Sequence, residues 1–249
     1  MKRFGSAVLL VCVCAAGASR AADRAVHLRV PPPVAKGIAA MPQIVDPADD
    51  AERRINAAVK RLDVSVANAA RDCNGHDWQR SIDVPMRGPG FLSFVVTDSW
   101  ICEGTAHPDS ETFSIVYDLV SGRPVDWAHL LPASLTGKQA LEAQMDGTKI
   151  VTLASERLFQ LYMDGYGAGQ ASGADLDACK QALKEAASDG PPAMMVWLDG
   201  KQHGLAVEIS DLPHAVAVCE TPVTIPATVL RAEGAQPALL TALDGRTRP

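Results

Sequence analysis

Apolar residues recur at intervals of three and four in the segment after Pro47, which predicts an amphipathic helix with one buried face. The apolar positions are Ile55, Ala58, Val59, Leu62, Val66 and Ala69. Asp46 is placed to cap this helix, and the acidic residues of the first turn favour its positive end. We expect the helix to end near Cys73, where Asn74 and Gly75 follow.

After this helix, apolar and polar residues alternate with a period of two, which predicts an antiparallel meander. The predicted strands are 81–86, 91–102 and 113–119. In the middle of the chain, apolar residues again have helical spacing. In the last third, short apolar segments typical of strands occur again. The predicted helices are 136–145, 148–163 and 175–187, and the later strands are 194–198, 204–209, 216–219 and 223–225.

These elements predict an α+β fold, in which an antiparallel sheet is flanked by helices and a helical insertion separates two strand-rich parts. Residues 22–48, which contain Pro31-Pro32-Pro33, favour an extended proline-rich tether. We assign residues 49–232 to a single α+β domain and residues 233–249 to a frayed C-terminal tail.

The first 21 residues have the order of a secretory signal peptide. Lys2 and Arg3 are followed by an uncharged apolar run, and the small residues Ser19 and Ala21 suit a signal peptidase. The alternative is a transmembrane anchor, but this run of roughly 10–14 residues is shorter than the about 20 needed to cross a bilayer. We therefore predict that residues 1–21 are removed and that the protein is periplasmic or secreted.

The charge balance excludes some classes of partner. The chain has a formal net charge of −6, which becomes −9 when Lys2, Arg3 and Arg20 leave with the signal peptide. An acidic chain does not favour nucleic acid or an anionic membrane surface as a partner, whereas a basic protein is compatible with it. No segment after the signal peptide has the length and apolarity of a membrane span. The sequence does not indicate an oligomeric state.

Four cysteines remain after the signal peptide, and an even number in an exported chain predicts two disulfides. Three connectivities are open. We favour Cys73–Cys102 and Cys179–Cys219, because each pair joins neighbouring predicted elements. A zinc site is the alternative, but the sequence has no Cys-x-x-Cys pair and no close Cys/His cluster. It also lacks a nucleophile elbow and a phosphate-binding loop, so we predict neither a metal nor a cofactor.

A short loop that contains Gly104 and His107 follows the predicted strand at Trp100. After the next strand come Asp118-Leu119-Val120-Ser121-Gly122-Arg123 and His129-Leu130-Leu131. This combination resembles a family of extracytoplasmic domains of unknown function, which occur in lysozyme-sensing anti-sigma factors and beside some peptidoglycan deacetylase domains. Family members have Gly-Gly-Ala-His in the loop and Asp-Leu-x-x-Gly-Lys in the turn. Here threonine replaces the second glycine and arginine replaces the lysine.

The resemblance extends over residues 50–232 and implies a binding module at the cell envelope, with the loop as a contact surface. The predicted binding residues are Glu103, Gly104, Thr105, His107 and Pro108. The alternative for His107 is that it orders its own loop by donating to a backbone carbonyl. No catalytic residue is assigned.

Three functions are compatible with these features. The first is a non-enzymatic binding module for a basic protein such as lysozyme, or for cell-wall glycan. The second is a periplasmic hydrolase of cell-wall material, with His107 and Glu103, Asp109 or Glu111 as acid and base. The third is a structural envelope protein without a small ligand. The lack of a recognisable catalytic motif and the family resemblance favour the first.

Overall fold

The computed structural model describes residues 24–73, 77–168, 176–210, 212 and 214–245. Within these ranges the protein forms antiparallel sheets and six α-helices, which confirms the predicted α+β class. The predicted signal peptide lies outside the described residues. None of the described helices combines the length and the apolarity that a membrane crossing requires.

Helix α1 (Asp50–Asp72) carries the predicted apolar face, and its Ile55, Val59 and Val66 side chains are buried. Its cap is Asp49 rather than the predicted Asp46. The Asp49 carboxylate accepts a hydrogen bond from the backbone N–H of Glu52 at 2.9 Å, which satisfies one of the free donors of the first turn.

The first sheet has the order β3-β4-β5-β6, and all its pairs are antiparallel. Its strands are β3 (Asp77–Arg87), β4 (Phe91–Ile101), β5 (Asp109–Asp118) and β6 (Arg123–Pro124). A register shift between Asp83 and Met86 bends β3. Before these strands, β1 (Leu28–Arg29) and β2 (Gln43–Ile44) form a short antiparallel pair.

The second sheet has the order β11-β10-β9-β8-β7. Its strands are β7 (Lys138–Ala143), β8 (Lys149–Ala154), β9 (Met194–Asp199), β10 (Gly204–Ile209) and β11 (Val223–Pro226). The remaining helices are α2 (Ala133–Thr136), α3 (Glu156–Gly165), α4 (Leu176–Ala186), α5 (Ala227–Glu233) and α6 (Pro237–Leu243). The two sheets share one hydrophobic core, and the Ser114 hydroxyl of β5 donates to the Val196 carbonyl of β9 at 3.0 Å.

The middle of the chain contradicts the helices predicted at 136–145 and 148–163, because β7 and β8 form there and a helix begins only at α3. Pairing of β7 with β8 overrides the local helical spacing. The Ser155 hydroxyl caps α3 by accepting from the Leu158 N–H at 3.1 Å. Residues 214–219 form a 3₁₀-helix, where a strand was predicted at 216–219.

The segment predicted as a tether, 22–48, is packed from Arg24 onward. Its buried apolar residues are Val26, Ile38, Ala40, Met41 and Ile44. Arg24 pairs with the buried carboxylate of Glu52 at 2.8 Å. The Asn56 side chain holds the backbone of Ile44 through bonds of 2.7 and 2.9 Å. The prolines therefore belong to a segment that α1 fixes in place, and the tether prediction is wrong for these residues.

The C-terminal segment 233–249, predicted as frayed, contains helix α6, whose Leu239, Leu240 and Leu243 side chains are buried. This apolar face belongs to the common core. The prediction is wrong up to Gly245, and residues 246–249 lie outside the described ranges.

Both predicted disulfides are present. Cys73 at the end of α1 bonds to Cys102 after β4, with 4.9 Å between the Cα atoms. Cys179 of α4 bonds to Cys219, with 5.3 Å between the Cα atoms. Two disulfides are typical of a protein that lies outside the cytoplasm.

Candidate functional site: an acid-lined cleft

A cleft of about 470 Å³ opens between the start of β5, the β7–β8 hairpin and the end of β10. Five carboxylates line it, and we name it the acid-lined cleft. They are Asp109, Glu111, Glu142, Glu208 and Glu220. None of the described residues that line it is Lys, Arg or His. The cleft is therefore a local concentration of negative charge.

The sheet register explains how Glu111 comes to lie beside other charged groups. Arg80 of β3 pairs with Asp98 of β4, and Asp98 pairs with Glu111 of β5. Residues directly opposite each other in antiparallel strands project from the same face. The three side chains therefore form one row across the sheet, and this row ends at the cleft.

The row continues into a buried ion network. The Arg80 guanidinium donates to both carboxylate oxygens of Asp98 and, from Nη2, to Asp146 Oδ2 at 3.0 Å. All three side chains are inaccessible to solvent. Trp78 Nε1 also donates to Asp98 Oδ1 at 2.9 Å. The network ties the first sheet to the β7–β8 hairpin and so fixes two walls of the cleft relative to each other.

Glu111 takes up protons more readily than an ordinary glutamate. Burial raises the pKa of Glu111 to about 7, and the charges of Asp98 and Asp146 add to the rise. Two effects lower the pKa of Glu111 and oppose this rise. The Met145 backbone N–H donates to both Glu111 oxygens at 3.1 Å, and the charge of Arg80 favours the ionised form. Glu111 is consequently part protonated and part ionised at neutral pH.

Glu208 is the second carboxyl of this kind. Burial raises the pKa of Glu208 to about 7, and the charge of Glu220 contributes. The Glu208 carboxylate accepts no hydrogen bond from the described residues, whereas the Glu220 carboxylate accepts one from the Leu212 N–H at 3.2 Å. The cleft therefore holds a half-buried acceptor that has no donor in the described part of the chain.

The predicted binding loop lies at the rim of this region. The Cys73–Cys102 disulfide anchors its start, and the Glu103 N–H donates to the Cys73 carbonyl at 3.2 Å. Glu103 and Met145 line a shallow hollow, and Met145 also lines the acid-lined cleft. Gly104 has a φ of 83°, which favours glycine at this turn. Of the five predicted residues, Glu103 lines this hollow, and none of the five lines the acid-lined cleft.

His107 is exposed, and its Nδ1 donates to the Pro108 carbonyl at 3.0 Å. This contact agrees with the alternative in which His107 orders its own loop. His107 does not line the acid-lined cleft, whereas Glu111 does. The described residues also contain no group of three or more His, Cys, Asp or Glu side chains arranged to hold a metal ion.

Sequence reasoning named Asp109 and Glu111 only as acid–base partners of His107 in the hydrolase alternative, and it missed Glu142, Glu208 and Glu220. A signal for Glu208 exists, because it interrupts the apolar run Leu205-Ala206-Val207-Glu208-Ile209. A charge within such a run lies in or beside the core.

No family model matches the chain, and no curated protein matches it at a significant level. Among solved structures, the chain is similar to a member of the DUF3298 family from Bacteroides fragilis NCTC 9343, at 13% identity and a TM-score of 0.44. That match covers 78% of this chain and 69% of the other. It is also similar to a DUF3298 family protein from Pseudomonas aeruginosa PAO1, at 14% identity and a TM-score of 0.43, over 80% and 84% of the two chains. The predicted resemblance to a family of domains of unknown function is confirmed as this structural similarity.

Proposed function

We propose that the protein is a periplasmic or secreted binding module that receives a cationic group of a basic partner protein in the acid-lined cleft. A lysozyme-like protein is the class of partner we favour. The observation that carries the proposal is the concentration of five carboxylates in a cleft whose described lining residues include no Lys, Arg or His. Among these carboxylates, that of Glu208 accepts no hydrogen bond from the described residues. A lysine or arginine head group would supply both the donor and the charge.

The two raised pKa values give this binding a recognisable pH dependence. Because the pKa of Glu111 and of Glu208 is about 7, a cation must compete with protons for both side chains at neutral pH. Affinity for a cationic partner should therefore rise between pH 6 and pH 8. It should also fall with added salt, since long-range attraction between charged surfaces is screened.

The loop predicted from the family resemblance becomes the outer part of the same surface. Glu103 shares its hollow with Asp72 and Met145, so the negative surface extends from the cleft along the loop. In this arrangement the cleft takes the cationic group, and Glu103, Gly104, Thr105, His107 and Pro108 contact the surrounding surface of the partner.

Calorimetric titration with lysozyme at low and moderate salt tests the proposal. We expect saturable binding that strengthens from pH 6 to pH 8, and Glu208→Gln should weaken it by about tenfold. Asp189→Asn is the matched control, because Asp189 is exposed and lies outside the cleft. Glu103→Gln tests the loop separately. Absence of binding at both salt concentrations would exclude lysozyme, and equal effects of Glu208→Gln and Asp189→Asn would exclude the cleft.

Hydrolysis of cell-wall material is the second candidate, and one observation favours it. Glu111 and Glu208 line the same cleft with pKa values of about 7, which suits general acid–base catalysis at neutral pH. This version uses the glutamates instead of His107. Release of soluble fragments from purified cell walls measures it. No release by the wild-type protein would exclude hydrolysis, and equal release by wild type and Glu111→Gln would exclude Glu111 as its acid or base.

A further inference from the structure

A second cavity, of about 530 Å³, lies between α1, the end of β5 and the start of β8. We name it the basic groove, because Arg54, Arg61, Arg123 and Lys149 line it and all four are exposed. No Asp or Glu is among the described residues that line it. The groove is therefore a local concentration of positive charge in a chain whose formal net charge is −6.

The local backbone brings these cations together. Gly122, at φ 67° between β5 and β6, approaches α1 so closely that a Cβ there would lie 2.3 Å from the Ala51 carbonyl oxygen. The Arg54 guanidinium of α1 donates to the Ser121 carbonyl at 2.9 and 3.1 Å. These contacts hold the turn that carries Arg123 against the helix that carries Arg54 and Arg61.

Three of the four cations have no partner in the described part of the chain. Arg61, Arg123 and Lys149 form no ion pair and donate no side-chain hydrogen bond there, whereas Arg24, Arg53 and Arg157 each pair with a carboxylate. Arg61 lies close enough to Tyr117 to oppose the effect of burial, which raises the pKa of that phenol to about 12. The positive charge of Arg61 therefore reaches the buried wall of the groove.

The interior of the groove is mainly apolar. Leu62, Ile115, Trp127 and Val151 supply apolar surface. Thr148 also lines the groove, and its buried Oγ1 has no hydrogen-bond partner in the described residues. Small-molecule sites commonly have this size and this combination of apolar walls with a few polar groups.

We propose that the basic groove binds a small organic anion, the size of a monosaccharide or disaccharide, through a carboxylate or phosphate group. Arginine side chains match the geometry of both groups and bind them through paired N–H donors. The anionic group lies between Arg61, Arg123 and Lys149 at the rim, and the body of the ligand lies against the apolar walls. Of the residues that line this site, only Ile150 also lines the acid-lined cleft. Binding at this site can therefore be tested independently of the proposed function.

Calorimetric or NMR titration of the full exported chain tests the site with three probes: N-acetylmuramic acid, N-acetylglucosamine and inorganic phosphate. N-acetylmuramic acid carries a carboxylate on a sugar that N-acetylglucosamine otherwise matches. We expect N-acetylmuramic acid, inorganic phosphate or both to bind at least tenfold more tightly than N-acetylglucosamine. Tight binding of N-acetylmuramic acid alone identifies a carboxylate ligand, and tight binding of phosphate alone identifies a phosphate ligand.

Arg61→Gln with Arg123→Gln should weaken that binding at least tenfold. The matched control is Lys60→Gln, because Lys60 is exposed on the same helix but does not line the groove. Thermal unfolding should show all variants folded, since the replaced side chains are exposed. The proposal is overturned if neither anion binds more tightly than N-acetylglucosamine, or if the double variant and the control bind alike.

Discussion

Replacement of Arg80 by methionine tests the buried ion network directly. The substitution retains an unbranched side chain but removes the cation that Asp98 and Asp146 share. Removal of one partner of a buried ion pair costs about 3–5 kcal/mol, because the remaining charge is left uncompensated. The network therefore predicts a large loss of unfolding free energy from a single change.

Two retained hydrogen bonds and one unsatisfied donor of Arg80 place the expected loss at the lower end of that range. Asp98 keeps the Trp78 Nε1 donor at 2.9 Å, and Asp146 keeps the Thr148 N–H at 2.8 Å. Arg80 Nη1 is buried without a hydrogen-bond partner in the described residues. An unsatisfied buried donor costs about 1–3 kcal/mol, which methionine would remove. We expect Arg80→Met to lower the unfolding free energy by about 3 kcal/mol.

Urea denaturation followed by tryptophan fluorescence, with both disulfides intact, measures this loss. Arg87→Met is the control, because Arg87 is exposed at the end of the same strand, and it should change stability by about 0.5 kcal/mol or less. Adding Asp98→Asn and Asp146→Asn to Arg80→Met should restore at least half of the loss, since no charge is then left unpaired. A loss below about 1 kcal/mol for Arg80→Met, or no rescue, would refute this account.

The two raised glutamate pKa values, the two disulfides and the buried Glu52 each give a further prediction. Because the folded-state pKa of Glu111 and of Glu208 is about 7 against an ordinary 4.5, the folded protein holds protons that the unfolded chain releases, and unfolding free energy should fall as the pH rises from about 4.5 to 7. Glu208→Gln should make this slope shallower in denaturation curves, and an unchanged slope would contradict the pKa argument. Replacing Cys179 and Cys219 together by serine should cost about 4 kcal/mol by loop entropy, and the same change at Cys73 and Cys102 slightly less, measured by urea denaturation. Glu52→Ala should speed hydrogen exchange in residues 26–45, because Glu52 holds Arg24 and the Ala48 N–H; unchanged exchange would show that this segment is anchored elsewhere.

The parts of the fold that the sequence predicted are those where local pattern and tertiary packing agree. The helical spacing that ends at Cys73 predicted α1, and the alternation from Phe91 predicted β4. The disulfide pairing followed from the adjacency of these elements. In each case the apolar face of the element is also the face that the core buries.

The failures have a common physical cause. The positions Leu141, Ile150 and Leu153 have helical spacing, but Leu141 is 69% exposed and pairs across the β7–β8 ladder instead of facing a core. The N-terminal prolines suggested a tether, although Ile38 and Met41 behind them are buried. The spacing of residues within a segment does not show which other part of the chain the segment will pack against. That packing determined the structure of both segments.

The candidate site was less predictable than the fold. The loop at Glu103–Pro108 is conspicuous in sequence because glycine, histidine and proline fall together, but its residues are mostly exposed. The cleft carboxylates come from distant parts of the chain, with Glu111 on β5 and Glu208 on β10. Sequence reasoning also missed Arg80 and Asp98, although each alternates in phase with buried apolar residues of its strand. Inward charges of this kind are the signal that a sequence offers for such a site.

The two ends of strand β5 border cavities that are lined by side chains of opposite charge. Glu111 lines the acid-lined cleft and Tyr117 lines the basic groove, and six residues of strand separate them by about 20 Å. The charged side chains that line the two cavities therefore form a local dipole along this strand. An approaching charged body exerts a torque on such a dipole before contact. Attraction would direct cationic partners to the cleft and anionic ligands to the groove. This steering would act within about 10 Å of the protein surface at 0.1 M salt, which is the screening distance.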